Sequence, residues 1–374
     1  MNSKVCITKC SDYNLDQMTE LIEKSMKILD DFSYFENKKI LIKPNMLMPK
    51  TPDQAATTHP IFLQAAIRVF KKYTDKIYVG DNPGIHFDKT YKVTGIDKII
   101  EEERVIKANF KEGIEVNVNG KVIKKLKIAK VYKEVDFIVT LPKLKTHAMT
   151  KYTGAIKNSY GMLLAKDKHK FHFIYKKHED FAQLLIDINK FINPNLAIMD
   201  AIWAMQGNGP ANGEVRETGL ILLSKDLTAL DATACRIVGI LPKDIIHLKK
   251  SEENLFGNIN EDKIEIIGEK IEDAKVSNFK KATKESDIID LLPIPRFINA
   301  AIGKILVARP RINHSKCILC RECIDVCPAI PNAISLKNKR VVIDNKKCIR
   351  CFCCQEMCPE GAIDSGRTLF SRKG

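Results

Sequence analysis

Two runs of cysteine near the end of this 374-residue chain have the spacing of cluster ligands. Cys317, Cys320, Cys323 and Cys327 are followed by Pro328, and Cys348, Cys351, Cys354 and Cys358 by Pro359. Each run reads C-x2-C-x2-C-x3-C-P. A cubane of four irons takes one thiolate per iron. Three cysteines two residues apart wrap three corners from one tight loop, and the fourth corner must be reached from elsewhere. The proline cannot donate a backbone hydrogen bond, so it turns the chain away from the loop. Of 12 cysteines, nine lie between Cys317 and Cys358. A disulfide scaffold would spread them, and structural zinc sites use cysteine pairs, not triplets closed by Cys-Pro. The expected cofactors are two [4Fe-4S] clusters, and the expected chemistry is single-electron transfer.

A second set of residues could bind and move protons. The segment 142–161, PKLKTHAMTKYTGAIKNSYG, holds Lys145, His147, Lys151, Lys157 and Asn158. His169, His172 and His178 follow within a short basic stretch. Anion binding ranks first for such a set, acid–base work second and metal third, because no H-E-x-x-H spacing occurs. The elements that must position these residues alternate. Apolar runs at 39–43, 76–80, 136–141, 196–201 and 219–224 read as strands. Patterns at 61–73, 180–192 and 227–240 read as helices. That order predicts an α/β fold: a large parallel sheet covered by helices on both faces. Four strands lead into polar loops, and ligands bind beyond the carboxyl ends of parallel strands. The expected site therefore gathers His147, His172 and Lys145 for catalysis, with Lys43, Asn45, Asp81, Lys157, Asn158, Asp200 and Asn208 for ligand binding.

The cysteine runs resemble a bacterial two-cluster ferredoxin over residues 309–365. That resemblance implies a small α+β module with crossed ligation: Cys317, Cys320, Cys323 and Cys358 for one cluster, Cys348, Cys351, Cys354 and Cys327 for the other. Cys353 is a ninth cysteine, read as a small buried side chain. The first half departs by two extra residues, PAIPN before Ala333 against PEG before Ala362. The module is basic, with 13 Lys or Arg against 6 Asp or Glu from Arg309 to Gly374. Upstream, LIKPN at 41–45, GDNPG at 80–84, LPKLKTH at 141–147, TGAIKNSYGML at 153–163 and MDAIWAMQGNGP at 199–210 resemble the DUF362 family, as does the helix with Asp231. The resemblance implies the architecture and the place to look for a site, and no substrate.

Composition bounds the rest. A hydrophobic fraction of 45% permits a sizeable core. No apolar run approaches the roughly 20 residues of a membrane span, and the start has no secretory pattern, so a cytoplasmic protein is expected, of an anaerobe. The net charge of +15 is spread along the chain, without nucleic-acid motifs. It suits an anionic small ligand and a low-potential electron donor or acceptor protein. There is no G-x-G-x-x-G turn or Walker A loop. A flavin would convert one-electron to two-electron steps, but no motif supports it. The expected domains are 1–285, a linker or docking segment 286–308, and a ferredoxin-like domain 309–374. The expected function is a ferredoxin-coupled oxidoreductase acting on an anionic or carbonyl-bearing small molecule. The alternative is a non-enzymatic redox carrier or maturation module.

Overall fold

The computed structural model describes residues 2–175, 177–282 and 309–366. The segment 286–308 expected as a linker lies outside the described residues, as does the tail from 367.

Along the chain, β1 (Ser3–Lys9), α1 (Leu15–Leu29), β2 (Ile40–Pro44), α2 (Pro60–Phe70), β3 (Ile77–Val79), α3 (Phe87–Val93), α4 (Ile96–Glu102) and β4 (Ile106–Lys107) come first. A hairpin of β5 (Gly113–Asn117) and β6 (Lys125–Ala129) follows. Next are β7 (Phe137–Leu141), β8 (Lys143–His147), β9 (Lys151–Thr153), α5 (Ala155–Asn158), α6 (Ala165–Ile174) and α7 (His178–Ile192). The large unit closes with β10 (Leu196–Gln206), β11 (Glu214–Ser224), α8 (Leu227–Ile237), α9 (Ile246–Glu253), β12 (Ile264–Gly268) and α10 (Ile271–Ala274).

Among the described residues, ten strands form one sheet. Its main path is β12-β1-β11-β10-β7-β2-β3-β4, with β8 pairing to β10 and β9 to β8. The strands from β10 through β7, β2 and β3 to β4 run parallel. The expected α/β class is thus observed, with two reversals: β11 is antiparallel to β10 and β1, and β9 is antiparallel to β8. The hairpin between Gln206 and Glu214 is too short for the crossover of a dozen or more residues that a parallel return requires.

Strand alternation sorts the core into two layers. Leu41, Ile138, Ala197, Met199 and Leu222 pack on one face under α5, α7 and α8, through Ile156, Leu184 and Leu230. Ile40, Ile42, Val139, Ile198 and Leu223 pack on the other under α1 and α2, through Ile22 and Ile67. Burial on both sides explains why these strands read as continuous apolar runs.

Among its described residues, the C-terminal module holds two ribbons, β13 (Arg309–Ile312) with β16 (Ile363–Gly366) and β14 (Ile334–Lys337) with β15 (Arg340–Ile343). One-turn helices at Glu322–Asp325 and Cys353–Glu356 follow the two cysteine loops.

Candidate functional site

The module's residues fit two cubane clusters. Cys317, Cys320, Cys323 and Cys358 line one apolar cavity with Ile312, Val341, Ala362 and Ile363. The fourth cysteine of the second run thus joins the first run's three. Burial pushes the Cys323 thiol up to about 12, with Cys320, Cys358 and Cys317 adding to it. Burial also holds the Cys354 thiol well above its usual value, and Cys351, Cys348, Cys323 and Cys327 push the same way. Thiols crowded like this need cationic iron to become thiolates. The two loops repeat one backbone trace: Leu319 and Arg321 in the first, Arg350 and Phe352 in the second, all have φ between 57° and 69°. That left-handed geometry is costly for residues other than glycine, and it recurs at matched positions of the two loops. The Ala362 N–H donates to Cys358 Sγ at 3.2 Å, the kind of bond that tunes a cluster thiolate. Among the described residues, no three His, Cys, Asp or Glu side chains close on a single metal ion.

The strand-end loops meet the module in a cleft enclosing about 700 Å³ of empty space, part of it open to solvent. Its floor carries Asn45, Asp81, Lys145, His147, Lys157 and Asn158, its side Tyr160, Lys168 and His172, and its roof Cys353, Glu356 and Met357 from the second cysteine run. The floor is cross-braced. Lys145 Nζ donates to Asn45 Oδ1 and to the Ala56 carbonyl, both at 2.7 Å. Asn45 Nδ2 donates to Asn158 Oδ1 at 3.1 Å, and Asn158 Nδ2 to Thr140 Oγ1 at 2.7 Å. Lys43, buried beneath, pairs with Asp81 at 2.7 Å. Lys157 is half-buried and makes no hydrogen bond or ion pair among the described residues.

Local sequence explains how α5 delivers Lys157 and Asn158. The carboxylate of Asp231, from α8, caps its start: Oδ1 accepts from Ala155 N–H at 2.7 Å and Oδ2 from Ile156 N–H at 3.0 Å. Tyr152 adds its hydroxyl at 3.0 Å. A Cβ on Gly154 would lie 2.1 Å from Asp231 Oδ1, so glycine is required there. A Cβ on Gly161 would come equally close to Asp81 Oδ1, at 2.1 Å.

Burial sets the protonation states. Burial and the Lys157 and Lys143 charges push Lys145 down to about 7. Burial likewise holds Lys168 at about 7, although Asp81 favours its charged form. His147 lies well below its ordinary value because it is buried, and Lys157 and Lys145 add to that. Its Nδ1 accepts from the backbone N–H groups of Met149 and Thr150 at 3.1 and 3.4 Å, so the neutral ring carries its proton on Nε2. Nε2 lies 3.1 Å from Glu356 Oε1, with neither atom in hydrogen-bond geometry. Burial raises Glu356, against the pull of Lys157 and Lys145.

The structure brings together Asn45, Asp81, Lys145, His147, Lys157, Asn158 and His172 around the cleft, with Lys43 directly below. His172 stacks on Phe181 with ring centroids 4.6 Å apart; the His169 side chain lies outside the described residues. Asp200 is not part of the site. It shares the parity of Leu196 and Ile198, so it points to the opposite face of the sheet, where it binds Lys143 Nζ at 2.8 Å. Asn208 sits outside the cleft, at the junction with the module: it donates to Asp364 Oδ1 at 3.1 Å and accepts from Gln355 Nε2 at 2.6 Å. The stretch from Pro142 to His147, expected as a loop, is strand β8, paired to β10. Lys50 extends the junction, donating to the Pro359 carbonyl and to Asn212 Oδ1 at 3.0 Å each. Sequence reasoning missed Lys168 and Tyr160, and it gave Asp231 and the roof, Cys353 included, no part in the cleft. Asp231 had a signal in its helix; the roof had none, because no local pattern encodes how two modules dock.

A family model described as a domain of unknown function, DUF362, matches residues 40–236, and one described as a 4Fe-4S dicluster domain matches residues 309–359. The thylakoid-associated protein sll1697 of Synechocystis is 29% identical over 209 residues, covering 55% of this chain and 65% of that protein. Among solved structures, the lactate racemase apoprotein of Thermoanaerobacterium thermosaccharolyticum aligns with a TM-score of 0.41 at 12% identity, over 65% of this chain and 57% of that one. A Thermotoga maritima protein aligns with a TM-score of 0.38 at 11% identity, over 66% of this chain and 60% of its own. No helix among the described residues is long and apolar enough to cross a membrane.

Proposed function

We propose that this chain, which belongs to the DUF362 family and carries a 4Fe-4S dicluster domain suited to electron transfer, is an oxidoreductase that reduces or oxidises a small anionic or carbonyl-bearing molecule in the cleft. One observation carries the reading: Cys353, Glu356 and Met357 of the second cysteine run form a wall of the cavity that Lys145, His147 and Lys157 line. When bound, the clusters supply single electrons. The protein's own residues do the rest. The ammonium of Lys157, which makes no hydrogen bond or ion pair among the described residues, holds the ligand's negative charge. His147 presents an Nε2–H to a ligand oxygen, and Lys145, poised near neutrality, gives or takes a proton. Asn158 and Lys43 are already committed to Asn45, Thr140 and Asp81, so they brace the floor instead of touching the ligand. The module roofs the site and limits water.

The test uses anaerobically purified full-length protein. Its clusters are reduced with dithionite, and re-oxidation is followed by visible absorbance as small 2-oxo acids and enoates are added. At least one compound should re-oxidise the clusters, and Lys157→Ala should slow this by about ten-fold or more, as expected when a charge-assisted contact is lost. If no compound acts, or if Lys157→Ala reacts as fast as the parent, the chain is a carrier without chemistry in the cleft.

A further inference from the structure

The two cysteine loops share a spacing and not an environment. The second is turned inward, where Cys353 and Met357 are buried against Leu47 and Ile85 of the large unit. The first is turned outward. Cys320 is exposed, Ile318 is 62% and Leu319 42% exposed, and Lys316 and Arg321 flank them in solvent. Single exposed apolar residues are ordinary, but these two are adjacent and stand between two cluster ligands. The charges are sorted in part, although Glu360 lines the same cavity as Ile318 and Arg321. Glu322 reaches back to His86 at 2.6 Å, Asp364 accepts from Asn208, and Glu356 lies in the cleft. Three of the module's acids thus face the large unit, while the lysine and arginine of the first loop remain free of acidic partners among the described residues.

We propose that the loop Lys316–Arg321 is the docking surface for an acidic one-electron carrier protein. A small apolar centre rimmed by cations suits the limited contact area of transient redox encounters, and the positive rim would speed association with an acidic partner. A second copy of the chain fits poorly, because it brings the same positive charge, +15 in all. The docking rests on the electron-transfer reading of the module and not on what the cleft holds.

The experiment titrates the full-length, cluster-loaded protein with a small acidic ferredoxin by calorimetry at low and high salt. Iron content and visible spectra verify loading of each variant. Binding should weaken as salt rises. Combining Lys316→Glu with Ile318→Ser should weaken it about ten-fold or more, whereas Lys24→Glu, on the exposed side of α1, should change it less than about two-fold. Equal affinity in all variants overturns the proposal. So does equal binding of a basic cytochrome. Concentration-dependent self-association, or binding to vesicles of anionic lipid, that the same double variant abolishes would assign the loop to another occupant and also overturn it. If the carrier binds as expected while no small molecule re-oxidises the clusters, the docking surface stands and the cleft reading falls.

Discussion

Two buried lysine–aspartate pairs lie on opposite faces of the same sheet, and their surroundings separate scaffold from site. Lys143 and Asp200 are 2.8 Å apart, and both side chains are fully buried. Every Asp200 oxygen is used: Oδ1 accepts from the Tyr13 hydroxyl at 2.9 Å, and Oδ2 from the His59 N–H at 2.9 Å as well as from Lys143. Tyr13 stacks on His59 at 3.7 Å and meets Trp203 edge-on, which seals the pair. Lys43 and Asp81 are just as close, at 2.7 Å, but Asp81 borders the cleft, with Lys145, Lys157 and Lys168 around the same space. Identical chemistry is therefore structural where every lone pair is satisfied. It becomes part of a site where one edge faces a cavity lined by more lysines than carboxylates.

The sharpest way to break this comparison is Asp200→Ala. It strands the Lys143 ammonium in a dry environment, where desolvation already favours the neutral amine. Removing one partner of a buried pair costs about 3–5 kcal/mol, to be read from denaturant unfolding of the full-length protein. Lys157→Ala, in contrast, breaks no hydrogen bond or ion pair among the described residues and gives up only the longer-range pull on Glu356, which can take up a proton instead, so stability should change far less than in Asp200→Ala. A similar loss in both variants would erase the distinction between scaffold and site.

Gly161→Ala probes the open pair more gently. The new methyl would sit 2.1 Å from Asp81 Oδ1 and 2.5 Å from Lys43 Nζ, so the pair must shift. Overpacking of this kind costs about 1–3 kcal/mol, and here it should also weaken ligand binding. Unchanged binding with lowered stability would place Lys43–Asp81 with the scaffold.

Much of the site was legible because its signals are local. The cysteine spacing carries the cluster ligands, and four strand-to-loop junctions point to one sheet edge. Asp200 misled because it follows an apolar run just as Asp81 does. Parity could have excluded it: counting by two from Leu196 and Ile198 puts Asp200 on the face of α1 and α2. The loop expected at 142–147 hid a strand because its buried lysines look like surface residues. Only tertiary partners such as Asp200 and Asn45 make their burial affordable. Glu356 and Cys353 could not be read as cleft residues, since their place depends on the junction made by Lys50, Asn208 and Asn212.

The subtlest consequence of an open, cation-rich site is its pH dependence. Lys145 is held near 7 by burial and by neighbouring cations, whereas in an unfolded chain a lysine titrates near 10.4. Between these values the unfolded state binds the extra proton, so this group makes stability rise with pH across about 7 to 10. Below about 7 the charged amine persists in the fold and its cost is fully present. The sealed Lys143 keeps a carboxylate partner and cannot serve the cleft. Lys145→Met isolates the effect. Loss of the bonds to Asn45 and to the Ala56 carbonyl shifts stability by a constant, while loss of the titrating amine changes the slope. Unfolding free energies of the parent and the variant at a series of pH values between about 6 and 10 should therefore converge or diverge steadily, with the parent gaining stability relative to Lys145→Met as pH rises. An anion that pairs with the ammonium reverses the preference. Its binding above pH 7 should take up a proton, seen as an apparent enthalpy that varies with the ionisation enthalpy of the buffer, and its affinity should fall as the pH climbs. Parallel stability profiles for the two proteins would show that Lys145 keeps an ordinary lysine pKa, and the proton-transfer role assigned to it would have to pass to His147.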